Sequence, residues 1–172
     1  MKDFSISKSV YKMIMRSSIY LSIILLSTTL FAQTETNFSG VWAFDISKSN
    51  AGEGGSFLYS NIIHTIKHNT ASISIEETII RQGSDNVVST EVFNLNGKEQ
   101  IEKKDYGTTR KLVNWSQNNK ILTLITIITS DSKDYRGDAT YTLSDNGRIL
   151  TVKTLYKNPD GESTVIQVFN KK

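Results

Sequence analysis

Phe38-Ser39-Gly40-Val41-Trp42 opens a long series of strand-and-turn units, and its reading decides the fold. Trp42, Phe44 and Ile46 alternate with Val41, Ala43 and Asp45, as side chains do on a strand with one apolar face. Beyond it, runs rich in Thr, Ile, Val, Tyr and Phe are broken at short intervals by turn residues. That is the pattern of an all-β sandwich or barrel. Strands are predicted near 40–46, 60–68, 71–80, 86–95, 98–104, 107–116, 120–130, 134–143, 148–157 and 162–170.

The turns fix how these strands are connected. Asn96-Gly97 lies between Glu91–Leu95 and Lys98–Ile101, and Asn-Gly tolerates the positive φ pair of a tight hairpin. Asp145-Asn146-Gly147 and Asn158-Pro159-Asp160-Gly161 break the chain again, and Asn118-Asn119 closes a further hairpin. Links this short require antiparallel neighbours, because parallel strands need a long crossover. The predicted architecture is therefore a single antiparallel up-and-down β-barrel of about 8–10 strands. Ile121-Leu122-Thr123-Leu124-Ile125-Thr126-Ile127-Ile128 is apolar on both faces, so a loop or a second chain is expected over its outer side.

The first residues read as a targeting segment. Lys2, Lys8, Lys12 and Arg16 precede an apolar run from Ile19 to Phe31, and Ala32 offers a small residue at the break. This describes a secretory signal peptide over residues 1–32, cleaved to leave a domain over 33–172. The apolar run is shorter than the roughly 20 residues of a membrane-spanning helix and is interrupted by Ser22, Ser27, Thr28 and Thr29. The expected location is periplasmic or extracellular. The leader carries all of the charge imbalance: of 20 Lys+Arg and 17 Asp+Glu, it takes four bases and one acid, leaving a neutral domain. Neutrality removes the compositional case for nucleic acid or an anionic membrane as partner. The absence of cysteine excludes thiol catalysis and thiolate metal sites, and leaves packing and backbone hydrogen bonds to hold the domain.

The polar clusters assemble no recognisable catalytic or metal-binding set. His64 and His68 are the two histidines; on a strand, four residues span about 13 Å, too far for one ion. Asp131, Asp134 and Asp138 lack the spacing of a calcium loop and suit a solvated hairpin end. Glu76 and Glu77 are adjacent and point to opposite faces of a strand. No serine sits in Gly-x-Ser-x-Gly, and Gly52-Glu53-Gly54-Gly55 lacks the strand, helix and Gly-Lys-Ser/Thr of a phosphate loop. The residues therefore point to neither enzyme, metal site nor cofactor.

Trp42, Phe44, Phe93, Trp115, Tyr141, Tyr156 and Phe169 are spread over separate strands. Facing inward together they would line a ligand pocket; packed together they would simply fill the barrel. The balance tips slightly toward filling, since any β domain of this size needs such a core. Residues 47–59, with Gly52, Gly54 and Gly55, form the longest non-strand stretch and suit either a lid or an ordinary surface loop.

Phe38-Ser39-Gly40-Val41-Trp42 resembles the Phe-x-Gly-x-Trp start of the fatty-acid-binding branch of calycin-type barrels, and Gly40-Val41-Trp42 the Gly-x-Trp of lipocalins. Trp115 before a turn, and Leu143–Val152, are similar to exported bacterial lipocalin-like proteins. The resemblance spans most of residues 37–172 and implies a small hydrophobic ligand and no catalytic residue. Two departures stand out. Gln167 and Phe169 replace the Arg-x-Tyr that clamps a carboxylate in that branch, and residues 47–59 replace its helical pair. The sequence thus predicts an exported, non-enzymatic, lipocalin-like protein holding a small hydrophobic or amphipathic molecule in the lumen. The alternative is a filled barrel acting as a protein-interaction or structural module, with a protein partner or as a homo-oligomer. Thr140, Thr142, Thr151 and Lys153 give the exterior a wet face, unlike a membrane-spanning barrel.

Overall fold

Ten strands form one antiparallel sheet in the computed structural model, which describes residues 35–53, 55–144 and 146–172. The leader and its cleavage after Ala32 lie outside the described residues, as do Gly54 and Asp145. The strands are β1 (Gly40–Phe44), β2 (Ile62–His68), β3 (Ser72–Ile79), β4 (Val87–Asn94) and β5 (Gln100–Lys104). They continue as β6 (Gly107–Trp115), β7 (Leu122–Ser130), β8 (Lys133–Leu143), β9 (Ile149–Asn158) and β10 (Gly161–Lys171). The order across the sheet is β4-β3-β2-β1-β10-β9-β8-β7-β6-β5.

Sequence neighbours pair throughout that order, with one junction and one break. The junction joins the two ends of the folded chain: β1 pairs with β10 through Trp42↔Lys171, Ala43↔Asn170 and Phe44↔Phe169. The break falls between β4 and β5, which form the two edges of the sheet. This corrects the reading of Asn96-Gly97 as a paired hairpin. Gly97 takes the expected positive φ, at 71°, but the strands diverge on either side of it. Leu95 N–H donates to Ala71 O, just before β3, at 2.8 Å, and Asn94 N–H donates to the side-chain oxygen of Gln100 at 2.6 Å. Side chains span the opening instead: Lys111 Nζ of β6 stands 5.3 Å over the Phe93 ring of β4 and 3.4 Å from Glu102 of β5. The barrel is nearly closed.

Strand alternation builds the core. Ile62, Ile66, Ile73, Ile75, Leu122, Leu124, Leu150 and Val152 face inward and join Phe38, Trp42, Phe93, Tyr141 and Phe169 in one buried cluster. Phe38 plugs one end. Its ring centroid lies 6.0 Å from His68, 6.1 Å from Trp115 and 6.1 Å from Tyr141, and its carbonyl accepts the Trp42 indole N–H at 3.1 Å. Within the stretch 121–128, Ile125 and Ile127 are 6% and 8% exposed on the outer side, while Ile121 is 37% exposed. The sheet itself supplies long neighbours there: register sets Leu112 and Asp138 beside Ile125, and Arg110 and Arg136 beside Ile127. Aliphatic stems of arginine cover apolar surface while their heads stay in water. Arg136 Nε meets Asp138 at 2.7 Å across this patch.

Candidate functional site

One end of the barrel is filled and the other is open. Between the mouth and the filled end lies a cavity of about 640 Å³. Its walls come from residues two apart on successive strands: Ile75 and Glu77 on β3; Ser89, Glu91 and Phe93 on β4; Leu124, Thr126 and Ile128 on β7. Tyr135, Gly137, Ala139 and Tyr141 of β8, Val152, Thr154 and Tyr156 of β9, and Gln167 of β10 complete the ring, with His64 of β2. Period-two alternation is what delivers this set to one face. Ile75, Phe93, Leu124, Tyr141 and Val152 belong to the buried core and make the floor apolar. Ile128, Tyr135, Tyr156 and Asn158 stand near the hairpin ends of β7–β8 and β9–β10 and mark the mouth.

The wall carries polar groups at set heights. His64 is 5% exposed, and its Nε2 lies 3.0 Å from Oε2 of Glu77, its register partner on β3. The imidazole stacks on Phe169 at 4.3 Å between centroids, which fixes the ring plane. Its other nitrogen, Nδ1, is buried with no hydrogen-bond partner. The His64 bond holds the Glu77 carboxyl below its usual range, against the opposing effect of burial. Burial pushes the Tyr141 hydroxyl well up, and the charges of Glu91 and Glu77 add to the shift. The Tyr156 hydroxyl is raised for the same first reason. Tyr156 lies over Gly137, its register partner: a Cβ at that glycine would sit 3.6 Å from the ring, an ordinary contact.

Three of the seven aromatics singled out from the sequence, Phe93, Tyr141 and Tyr156, border the cavity. Trp42, Phe44, Trp115 and Phe169 do not, because they sit where the lumen is packed shut. Trp42 and Phe169 are fully buried; Phe44 packs on Phe169 at 5.5 Å and on Phe57 at 5.0 Å. Trp115 stacks with Phe38 and His68 at the plugged end. The aromatics that border the cavity and those that fill the barrel thus occupy different ends of it.

His64, Glu77 and Glu91 were not picked out from sequence as wall residues. Two of them carried a signal: His64 and Glu77 interrupt an apolar alternation, in Ile62-x-His64-x-Ile66 and Ile73-x-Ile75-x-Glu77-x-Ile79, whereas Glu91 follows Ser89 on a face that is already polar. His68, also inward, lies apart from His64 at the plugged end, where Nδ1 accepts the Phe38 backbone N–H at 3.3 Å. Burial lowers its pKa. Glu76 is exposed on the outer face, opposite to Glu77. No group of three or more potential metal ligands occurs among the described residues.

Residues 47–59 border none of the cavity. Asp45 caps a short 3-10 turn over Ile46–Lys48, accepting from Ser47 N and Oγ at 3.2 and 2.5 Å, while Lys48 Nζ and Asn170 Nδ2 approach it at 2.8 and 2.9 Å. Those bonds hold its carboxyl far below the usual range, the Lys48 contact most strongly. Asn50 then pairs with Ile166 through two 2.7 Å backbone bonds, laying the segment along β10.

No family model matches the chain, and no curated protein matches it. Among solved structures, it is similar to zebrafish ileal bile acid-binding protein complexed with cholic acid. The TM-score is 0.51 at 18% identity, over 78% of this chain and 98% of that one. The fold is a calycin-type β-barrel. Its likeness to the fatty-acid-binding branch is distant, and the chain lacks the Arg-x-Tyr expected on the last strand. Gln167 borders the cavity and Phe169 is buried against His64, so the Arg-x-Tyr positions of the last strand supply neither a cation nor a phenol. No helix among the described residues is long and apolar enough to cross a membrane.

Proposed function

We propose that this chain is an exported, non-enzymatic binding protein that carries a small amphipathic molecule in the lumen of its barrel. The observation behind the reading is the cavity of about 640 Å³, apolar at its floor and polar along its wall. Ligand pockets have this size and this mix of apolar lining with a few placed polar groups. A ligand burying roughly 300 Å² of apolar surface would gain about 7 kcal/mol before association costs. The barrel of known fold that resembles it is described as a bile acid-binding protein, which favours a ligand in the lumen. The reading assigns His64 and Glu77 to holding the wall and meeting the ligand, with no bond made or broken.

The test is native mass spectrometry of the purified protein against a panel of lipids and hydrophobes, with calorimetry for any adduct. A one-to-one adduct is expected, and no adduct across the panel would contradict the reading. Tryptophan quenching is a poor reporter here, since neither Trp42 nor Trp115 borders the cavity.

An interaction module remains the second reading, for one reason. Edge strand β4 exposes Val88 and Val92 beside the unpaired gap, and unpaired edges invite another strand. That use of the outer surface leaves the lumen free and does not compete with ligand binding.

A further inference from the structure

The charge inside the lumen points to a ligand class that the fold alone does not. Four titratable side chains besides tyrosine and His64 border the cavity: Glu77, Glu91, Arg136 and Lys157. They divide by strand parity. Glu77 and Glu91 alternate in phase with Ile75 and Phe93 and face inward. Arg136 and Lys157 are register partners one step out of phase with Gly137 and Tyr156, and they turn outward at the mouth. Each is paired there, Arg136 with Asp138 at 2.7 Å and Lys157 with Glu162 at 3.0 Å. Lys111 is inward but does not border the cavity, and Glu102 neutralises it at 3.4 Å, with Lys104 bonded to the same carboxylate at 3.0 Å. With Glu77 bonded to His64 at 3.0 Å, the free charge of the wall is the negative charge of Glu91.

The two carboxylates are also placed to act together. Glu77 faces Ser89 across the β3–β4 pair and Glu91 faces Ile75, so the two glutamates are diagonal neighbours on one wall. Diagonal side chains on paired strands stand about 7–8 Å apart. Glu91 makes no ion pair or hydrogen bond among the described residues. The rings of Phe93 and Tyr156 border the same space. Carboxylates flanked by aromatic faces are the chemistry that recognises an ammonium group.

His64 adds a polar group to the same wall: its Nε2 lies 3.0 Å from Glu77 Oε2, and its buried Nδ1 has no protein partner. We propose that the lumen selects a small apolar molecule carrying a protonated amine, held by Glu77 and Glu91, and discriminates against carboxylate-headed lipids. This rests on the lumen being the binding site.

Three ligands of equal chain length separate the two ideas: dodecylamine, dodecanol and dodecanoate, each titrated calorimetrically into the purified protein below its micellar concentration at pH 7.5. The expected order is amine, alcohol, carboxylate, with the amine at least about tenfold tighter than the carboxylate, because juxtaposing like charges is penalised. Glu91→Gln should shrink that ratio about fivefold or more. Glu76→Gln removes the same charge from the outer face of β3 and should leave the ratio in place. Thermal melts confirm that both variants fold. Failure of all three ligands to bind overturns the lumen reading itself. Binding with dodecanoate equal or tighter overturns only the amine assignment, as does an equal effect of the two substitutions, which would mean bulk charge.

Discussion

Trp42→Ala is expected to cost about 3–5 kcal/mol of unfolding free energy, read from urea denaturation followed by circular dichroism. The ring is fully buried, and it stands on β1 where the sheet is stitched shut between β2 and β10, opposite His64 and Lys171. Removing it leaves a void the packed neighbours can only partly close. It also strips the Phe38 carbonyl of its indole donor, a 3.1 Å bond, and Phe38 is the residue that plugs the filled end. Trp42→Phe keeps most of the volume and loses the N–H, so it should fall between the wild type and Trp42→Ala. A loss under about 1 kcal/mol for Trp42→Ala would mean that this ring does not hold the junction.

Gly107→Ala should cost at least about 2 kcal/mol, for a different reason. Gly107 opens β6 at φ 141°, and a Cβ built there would meet the Thr129 carbonyl oxygen of β7 at 2.0 Å. That contact is with backbone, so relief requires the strands to part. Gly83 provides the control. Its φ is also positive, at 74°, but nothing lies within 4 Å of an added Cβ. Gly83→Ala should therefore carry only the left-handed backbone cost of about 1–2 kcal/mol. Equal losses at the two sites would show that the close approach of β6 to β7 contributes nothing. Because β5 has β6 as its sole hydrogen-bonded neighbour in the sheet order, faster amide exchange should appear first in β5 of the Gly107→Ala protein.

Strand positions were open to reading because each carries its own signals: alternation within 139–143, Asn-Gly and Asn-Pro-Asp-Gly at turns, and few competing helix patterns. The gap was not. Asn96-Gly97 has the same turn chemistry whether the flanking strands pair or diverge, and what separates them is the non-local geometry of closing ten strands. The site was half legible. Parity tells that Trp42, Phe93, Trp115 and Tyr141 point inward, but not how far along the barrel each one lies. That depth depends on register across several strands, which placed Trp115 beside Phe38 at the plug and Tyr141 at the cavity floor. Glu77 and Glu91 were missed for the converse reason. Each stands alone on its own strand, and only the β3–β4 register reveals them as one diagonal pair.

The central claim is that a small amphiphile occupies the open half of this lumen. Chemical-shift mapping of the isotopically labelled protein titrated with dodecylamine tests it most directly. Shifts should concentrate at Ser89, Glu91, Tyr135, Tyr156 and Gln167, which border the cavity, and be small at Phe38 and Trp115 in the filled end. Shifts confined to outward residues such as Val88 and Val92, or no shifts at saturating amine, would contradict it.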